Sequence, residues 1–400
     1  MSAPTTAAAV APPAEGAGEG SAPAARTAAY FASFVAMGVT MGSLGPTLPG
    51  LAERTGSGLG EASLLFAARS LGILVGSLRG GRWFDRVPGH LLLAATLLAM
   101  TATMALVPFV HALWLLAAVM FLLGAAEGVL DVGGNTLLVW SHGARVGPYM
   151  NAMHFCFGVG ACVSPLIVAQ ALAFGHSVAP AYWALALAPL PVAGWLLRLP
   201  SPPARQAPTD TGGGRVDRRL VFLIALFFFL YVGAEGSFGG WIYSYAVAMG
   251  VADETRAAYL TSAFWGALTL GRLVAVPLAA RLRPRTILLG DLCGCLLSVG
   301  VVLMWPRSAA AVVAGTAGLG FSMASVFPTT LSFAERRMAL TGRVTGWLLV
   351  GASAGGMTVP WLIGQFFERA GPPSAIRIIA CALLLELAVY FVMLRAPGKR

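Results

Sequence analysis

GAAEGVLDVGGNTLLVWSHGARVGPYMNAMHFCFGVGA, residues 124–161, is the stretch that constrains the fold of this chain most strongly. It places Glu127, Asp131 and Asn135 at intervals of four along an apolar, glycine-rich segment, and His154 follows in the next segment. Residues four apart lie on one face of an α-helix, about 6 Å apart along its axis. Two carboxylates and an amide on one face of an apolar helix are costly to bury. We therefore expect this face to line an aqueous cavity or to contact a partner.

The composition of the whole chain is typical of a helical membrane protein. Of its 400 residues, 58% are hydrophobic and 10% are charged, and the mean hydropathy is +0.78. Soluble domains carry about 25% charged residues, so this chain lacks a water-compatible surface. Apolar segments long enough to span a bilayer recur between residues 27 and 394, and we count twelve. The sequence has none of the short alternating segments of a membrane β-barrel, so we predict an all-α membrane protein with twelve transmembrane helices.

A polar interval at residues 199–218 divides these segments into two sets of six. It is rich in Pro, Gly and charged residues, which is typical of a linker. The halves also resemble each other, because FAARSLGILVGSLRGGR (66–82) and TLGRLVAVPLAARLRPR (269–285) each carry a mid-helix arginine followed by a basic turn. The sequence therefore predicts two pseudo-symmetric six-helix bundles with a functional site at their interface. The expected divisions are a disordered cytoplasmic tail at 1–26, bundles at 27–198 and 219–394, the linker at 199–218 and a cytoplasmic tail at 395–400.

The basic residues are distributed unevenly among the loops, which indicates the topology. With a cytoplasmic N-terminus, the tails and loops on that side hold 19 of the 26 Lys and Arg residues, and the opposite loops hold five. Cytoplasmic loops are enriched in Lys and Arg, so we expect both termini in the cytoplasm and a location in the cytoplasmic (inner) membrane. The net charge of +10 therefore follows from topology and does not indicate nucleic-acid binding. The five cysteines lack disulfide or zinc spacing in a water-facing loop, and we expect no metal site.

Several charged residues fall near the middle of predicted helices. Glu127 should lie near the membrane midplane, Asp131 one turn deeper, and His154 at a similar depth on the antiparallel neighbour. A charge at mid-bilayer costs about 2.5–3.5 kcal/mol on insertion scales, so these three are candidate ion-coupling residues. The alternative is that Asp131 and His154 only satisfy each other. The remaining mid-helix arginines, Arg69 and Arg272, are expected to act as charge partners within the membrane.

The second half offers its own candidates. Glu235 lies near the middle of the seventh helix and is followed by Trp241 and Tyr245, whose flat faces and polar rims suit stacking on a hydroxylated ring. Tyr245 could equally belong to an interfacial aromatic belt. Arg272 could pair with Glu235 or with Asp291, and Arg69 with Glu127. A further carboxylate, Glu386 in the last helix, is interpreted as peripheral or paired.

The turn GGRWFDRVPG (80–89) follows the second helix, and its Gly81, Asp85, Arg86 and Gly89 could latch the cytoplasmic side. Together with the six-plus-six helices and the central linker, this turn resembles the signature of the major facilitator superfamily. The resemblance covers nearly the whole chain and implies alternating access by rocking of the two halves.

Within that superfamily, further motifs resemble the sodium-dependent glucose transporter branch and the fucose and glucose/galactose symporters of bacteria. These motifs are LDVGGN (130–135), PYMNAMHFCFGVGA (148–161), LYVGAEGSFGGWIYSYA (230–246), FWGALTLGR (264–272) and SVFPT (325–329). By this resemblance Asp131 would be a coupling or sugar-hydroxyl carboxylate. The expected substrate contacts are Asn135, His154, Glu235, Trp241, Tyr245, Phe264 and Trp265. The fucose-permease pattern has a glutamate where Asp131 stands and a glutamine where His154 stands, which leaves H⁺ and Na⁺ both open as the coupling ion.

The sequence thus predicts a transporter of hexose-type sugars, coupled to H⁺ or Na⁺, with no other cofactor and no enzymatic activity. Its expected partners are a monosaccharide substrate and membrane lipid, with no nucleic acid, and a monomeric state. An alternative is a proton-coupled exporter of a small amphiphilic or drug-like compound, with Glu127 and Asp131 as the proton relay. A remote alternative is a receptor that transports nothing.

Overall fold

The regular structure of this chain is helical throughout the part described by the computed structural model, residues 21–84, 86–175, 177–203, 217–338 and 342–395. In chain order the α-helices of this part are α1 Ser21–Met41, α2 Leu44–Thr55, α3 Leu59–Ala62, α4 Leu64–Phe84, α5 Gly89–Leu106, α6 Leu113–His142, α7 Val146–Gly175, α8 Ala179–Leu187, α9 Pro189–Arg198, α10 Arg218–Ala248, α11 Glu254–Arg281, α12 Pro284–Met304, α13 Ala309–Met323, α14 Val326–Glu335, α15 Gly342–Phe367 and α16 Pro373–Arg395. Short 3₁₀ helices occupy Val107–Phe109 and Gly143–Arg145.

Eleven helical segments of the described chain are long and apolar enough to cross a membrane, and the bent pair α1–α2 makes the number twelve. The predicted all-α membrane fold is therefore confirmed. α1 and α2 meet at an angle of 44°. Pro46 explains the break, because a proline has no N–H to donate to the carbonyl four residues earlier, at Gly42.

The limits of the helices differ slightly from those expected. α1 begins at Ser21, so the last six residues of the predicted tail 1–26 are helical, and residues 1–20 lie outside the described residues. The Ala-rich sequence at this point favours helix. α10 begins where the Asp217 carboxylate accepts hydrogen bonds from the backbone N–H groups of Arg219 and Leu220. Residues 204–216 of the predicted linker, and 396–400 of the last tail, also lie outside the described residues.

The two halves, α1–α9 and α10–α16, repeat the same helix contacts. In the first half α1 packs on α7 and α4 on α6, and in the second half α10 packs on α15 and α11 on α13. When the membrane spans are counted within each half, both halves pair span one with span five and span two with span four. Between the halves, α4 contacts α15 and α7 contacts α11, which are again equivalent contacts. The pseudo-symmetry predicted from the repeated arginine segments is thus present in the packing.

Close approach of α4 and α6 depends on glycine. A Cβ at Gly124 would overlap the Arg69 carbonyl oxygen, and a Cβ at Gly128 would overlap the carbonyl oxygen of Ile73. Small residues allow membrane helices to pack at backbone distance, where van der Waals contact can hold them together. This packing places Arg69 on α4 directly opposite Glu127 on α6.

We expect Gly124→Ala to destabilise the protein by about 1–3 kcal/mol, the usual effect of inserting a methyl group into a close-packed site. Thermal unfolding of the purified protein in detergent measures the change. Gly300→Ala is the matched control, because a Cβ at Gly300 of α12 meets nothing within 4 Å. Equal melting temperatures of the two variants would contradict this role for Gly124.

The face at which α1 begins and α16 ends is called the terminal face, and the opposite end the distal face. At the distal face the Glu368 carboxylate accepts a hydrogen bond from the Leu59 N–H, and Gln365 Nε2 donates to the Gly60 carbonyl. The hydrogen bonds between the halves that the structure describes run from here to mid-depth, where Arg272 Nη1 lies 3.2 Å from the His154 carbonyl oxygen. The molecule is therefore in a conformation in which the halves are joined on the distal side.

Candidate functional site

Two neighbouring cavities of about 190 and 210 Å³ lie at mid-depth between the halves. The first is lined by residues of both halves, including Phe66, Arg69, Ser70, Glu235, Trp265 and Arg272. The second is lined by Met37, Glu127, Asp131, His154, Phe157 and Arg272. Arg272, Phe157, Met41 and Ile73 line both, so the cavities adjoin. The predicted interface site therefore corresponds to a real space that contains polar groups.

Glu127 forms a buried ion pair with Arg69. Arg69 Nε donates to one carboxylate oxygen at 2.9 Å and Nη2 donates to the other, while the side chains are only 2% and 6% exposed. Thr40 Oγ1 on α1 donates a third hydrogen bond, at 2.7 Å, to the same carboxylate. Both charges are thus neutralised, and three helices are tied together beside the second cavity.

Asp131 lies one turn further along α6 and lines the second cavity together with His154. Asn135 Nδ2 donates to the Asp131 backbone carbonyl at 2.8 Å and to the Asp131 carboxylate at 3.1 Å. The His154 ring packs edge-on against Phe34, with ring centroids 5.5 Å apart. Among the described side chains no hydrogen bond joins Asp131 to His154, so the two do not simply satisfy each other. Both keep polar atoms for a ligand.

Asn135 has a different place from the one expected. It does not line either cavity, and its amide is used by Asp131. In this conformation the Asn135 amide holds the Asp131 carboxylate, and its expected contact with substrate stays a prediction. Spacing along the helix placed it on the correct face, but one turn too far towards the terminal face to reach the cavity.

Glu235 lines the first cavity, where its carboxylate accepts a hydrogen bond from the Tyr231 hydroxyl at 3.0 Å. Within the described ranges the ion pairs are Arg69–Glu127 and Arg256–Asp253, so Arg272 forms none with Glu235 or Asp291. Arg272 is nevertheless within electrostatic range of Glu235, so its expected role as a charge partner stays a prediction. Asp291 instead accepts a hydrogen bond from Ser325. Arg272 lines both cavities, and its Nη1 donates a hydrogen bond to the His154 carbonyl of the first half.

Of the four aromatic residues expected to contact the substrate, one lines a cavity and three do not. Trp265 lines the first cavity. Trp241 is fully buried and donates its indole N–H to the Pro360 carbonyl at 3.1 Å, and Tyr245 is 1% exposed with its hydroxyl 3.4 Å from the Pro306 carbonyl. Phe264 is fully buried against Phe238. In this conformation Trp241, Tyr245 and Phe264 pack away from both cavities, and their expected contacts with substrate stay predictions.

The predicted gate motif is described only in part. Gly81 and Arg86 are exposed at the terminal face, and Asp85 lies outside the described residues. Gly89 is buried, and a Cβ there would meet the side chain of Leu137 on α6. The motif thus begins α5 in close contact with the helix that carries the cavity carboxylates.

Sequence reasoning missed two hydroxyl groups of the site, those of Thr40 and Tyr231. Tyr231 precedes Glu235 by one helical turn, and this spacing could have indicated the hydrogen bond between them. Thr40 comes from another helix, and no local pattern connects it with Glu127.

A helical membrane protein with two similar halves and a polar cavity at mid-depth between them has the architecture of a secondary transporter. The profile of the Major Facilitator Superfamily matches residues 29–360, so the chain belongs to this superfamily and is one of its multi-pass membrane transporters. Within the superfamily it belongs to the sodium-dependent glucose transporter branch.

Two relatives define that branch. Sodium-dependent glucose transporter 1 of Xenopus laevis is 33% identical over 354 residues, which cover 80% of this chain and 72% of that protein. The Homo sapiens protein of the same name is 31% identical over 366 residues, or 82% of this chain and 71% of the relative. The fold also matches the crystal structure of a point mutant of the nucleoside transporter NupG, with a TM-score of 0.74 over 92% of this chain and 99% of that one. At 12% identity this likeness concerns the fold alone.

Proposed function

We propose that this protein moves a hexose-type sugar across the cytoplasmic membrane by alternating access, coupled to a cation, with its terminal face in the cytoplasm. The observation that carries the proposal is the pair of adjoining mid-depth cavities between the halves. The first half contributes Asp131 and His154 to their lining, and the second half contributes Glu235, Trp265 and Arg272. The relatives named as glucose transporters support the substrate class.

The chemistry of the lining suits a hydroxylated ring. Carboxylates such as Glu235 and Asp131 accept hydrogen bonds from hydroxyl groups, and the Arg272 guanidinium donates them. Trp265 offers a flat face for the apolar side of a sugar ring. An uncharged polyol with alternating donors and acceptors can satisfy both kinds of group at once.

Binding between the halves also explains how substrate could drive a conformational change. Arg272 belongs to α11 of the second half, yet it donates to the His154 carbonyl on α7 of the first half. A substrate that draws the Arg272 guanidinium towards Glu235 would weaken this contact between the halves. Substrate affinity would then differ between conformations, which is what a population shift requires.

Counterflow of labelled glucose, galactose and fucose in proteoliposomes tests the proposal, because counterflow needs only binding and alternating access. We expect signal with at least one hexose. Glu235→Gln should raise the half-saturating concentration about 10–100-fold, since a hydrogen bond to a charged group contributes about 1.5–3 kcal/mol. Glu335→Gln, at an exposed position at the end of α14, should leave it unchanged. Folded protein without counterflow of any of the three sugars would refute the hexose assignment and favour the exporter.

A further inference from the structure

Glu386 on α16 is a carboxylate that the cavity site does not use. It is 0% exposed, and both of its carboxylate oxygens are buried without a hydrogen-bond partner among the described residues. The sequence interpretation of this residue as peripheral or paired is therefore wrong, because α16 turns it into the second half and not outward. A carboxylate in such a position needs a physical explanation.

An ionised carboxylate buried without a partner is among the costliest arrangements in a protein, whereas the neutral acid costs far less. A carboxylate that is buried in a membrane protein without a counter-ion avoids this cost by binding a proton. We propose that Glu386 is a proton-binding site and that its proton is the coupling ion of the transporter, so this inference rests on the proposed function. Proton binding converts the carboxylate into a neutral acid and needs no other reactant.

The groups that face Glu386 from the surrounding helices support a proton more than a metal ion. α10 contributes Tyr231 and Glu235, and α12 contributes Asp291 and Cys295, all within electrostatic range. α15 also packs against α16, and its described side chains include no titratable group. Arg272 acts electrostatically on Tyr231 and Glu235. No set of three or more His, Cys, Asp or Glu side chains among the described residues is arranged to hold a metal ion.

The three carboxyl groups also mark a route through the second half. Asp291 is half-buried and accepts a hydrogen bond from Ser325 Oγ. Glu235 lines the first cavity, where Tyr231 donates to it. Asp291 lies seven residues into α12 and Glu386 nine residues before the end of α16, so both are about 10–14 Å from the helix ends at the terminal face. Glu386 thus lies within electrostatic range of the cavity carboxylate Glu235 and of Asp291 on α12.

Infrared spectroscopy of the purified full-length protein at neutral pH tests the proton site itself. Exposed carboxylates are ionised at that pH, so a carbonyl band of a protonated carboxyl that shifts in D₂O reports a buried acid. We expect this band in the wild type, its reduction in Glu386→Gln and its full retention in Glu254→Gln, an exposed matched control at the start of α11. Absence of the band from the wild type overturns the proposal even if the glutamine variant fails to fold. An unchanged band in folded Glu386→Gln overturns it as well.

Transport in proteoliposomes tests the coupling. Glutamine mimics the neutral acid, so Glu386→Gln should retain sugar counterflow, while the ratio of uptake with an inward proton gradient to uptake without one falls to unity. Persistent acid stimulation in this variant, or uptake by the wild type that responds to Na⁺ and not to pH, would overturn the coupling role. If the wild type shows no counterflow at all, the proposed sugar transport is refuted. The infrared result would then still show whether Glu386 binds a proton.

Discussion

A Ser262→Cys variant should lose nearly all substrate counterflow when it is oxidised and regain it on reduction. Ser262 on α11 faces the natural Cys162 on α7, with Oγ 3.4 Å from the Cys162 sulfur and hydrogen-bonded to the Cys162 carbonyl. A disulfide has an S–S distance of about 2.05 Å, so a small adjustment of two facing side chains closes the bond. Because α7 and α11 belong to different halves, this bond would hold the molecule in the distally closed conformation. Counterflow before and after oxidation measures the effect.

Two controls separate the crosslink from oxidation elsewhere. The wild type contains Cys162 and four other cysteines, and its counterflow should be insensitive to the oxidant. Adding Cys162→Ser to the Ser262→Cys variant should restore that insensitivity. If mass spectrometry shows the 162–262 disulfide to be complete and counterflow persists, then separation of α7 from α11 is no part of the transport cycle.

Hydropathy predicted most of the architecture, because in a bilayer every backbone polar group must be satisfied within the chain and a helix is the simple solution. The candidate charges were also recognisable, since Glu127, Asp131 and Glu235 stand in otherwise apolar segments. The structure pairs Arg69 with Glu127, the possibility raised by two opposite charges in neighbouring helices. The residues found by sequence were thus those whose chemistry conflicts with an apolar surrounding.

The orientation of aromatic and neutral polar side chains was not predictable in the same way. α10 is apolar on all sides, so no hydrophobic stripe shows which face meets the cavity. Trp241 lies six residues after Glu235, which places it about 120° around the helix from Glu235, towards α15 and Pro360. The burial of Glu386 was not predictable for a related reason. The contacts of α16 with α10 and α12 bury the side of the helix that carries Glu386. Such errors reflect tertiary contacts that no local pattern contains.

Removing one partner of the Arg69–Glu127 pair should destabilise the protein by about 3–5 kcal/mol, because the other charge remains buried without compensation. In Glu127→Ala the Thr40 hydroxyl keeps the Met37 carbonyl as an acceptor, so the expected loss is that of the buried Arg69 partner. Unfolding by titration with a denaturing detergent measures the effect. The matched control is the exposed pair Arg256–Asp253, whose side chains are 79% and 60% exposed, and its disruption should cost at most about 1 kcal/mol.

Replacing both partners by methionine distinguishes a structural pair from a coupling site. The double variant Arg69→Met/Glu127→Met contains no orphan charge, so we expect it to regain most of the stability lost in the single variants. Because the Glu127 carboxylate already receives two hydrogen bonds from Arg69 and one from Thr40, it has little capacity left for a coupling ion. We therefore expect ion-dependent uptake to survive in the double variant but not in Glu386→Gln. Loss of coupling with counterflow intact in the double variant would contradict this, and would return Glu127 to the coupling role that its position near the membrane midplane first indicated.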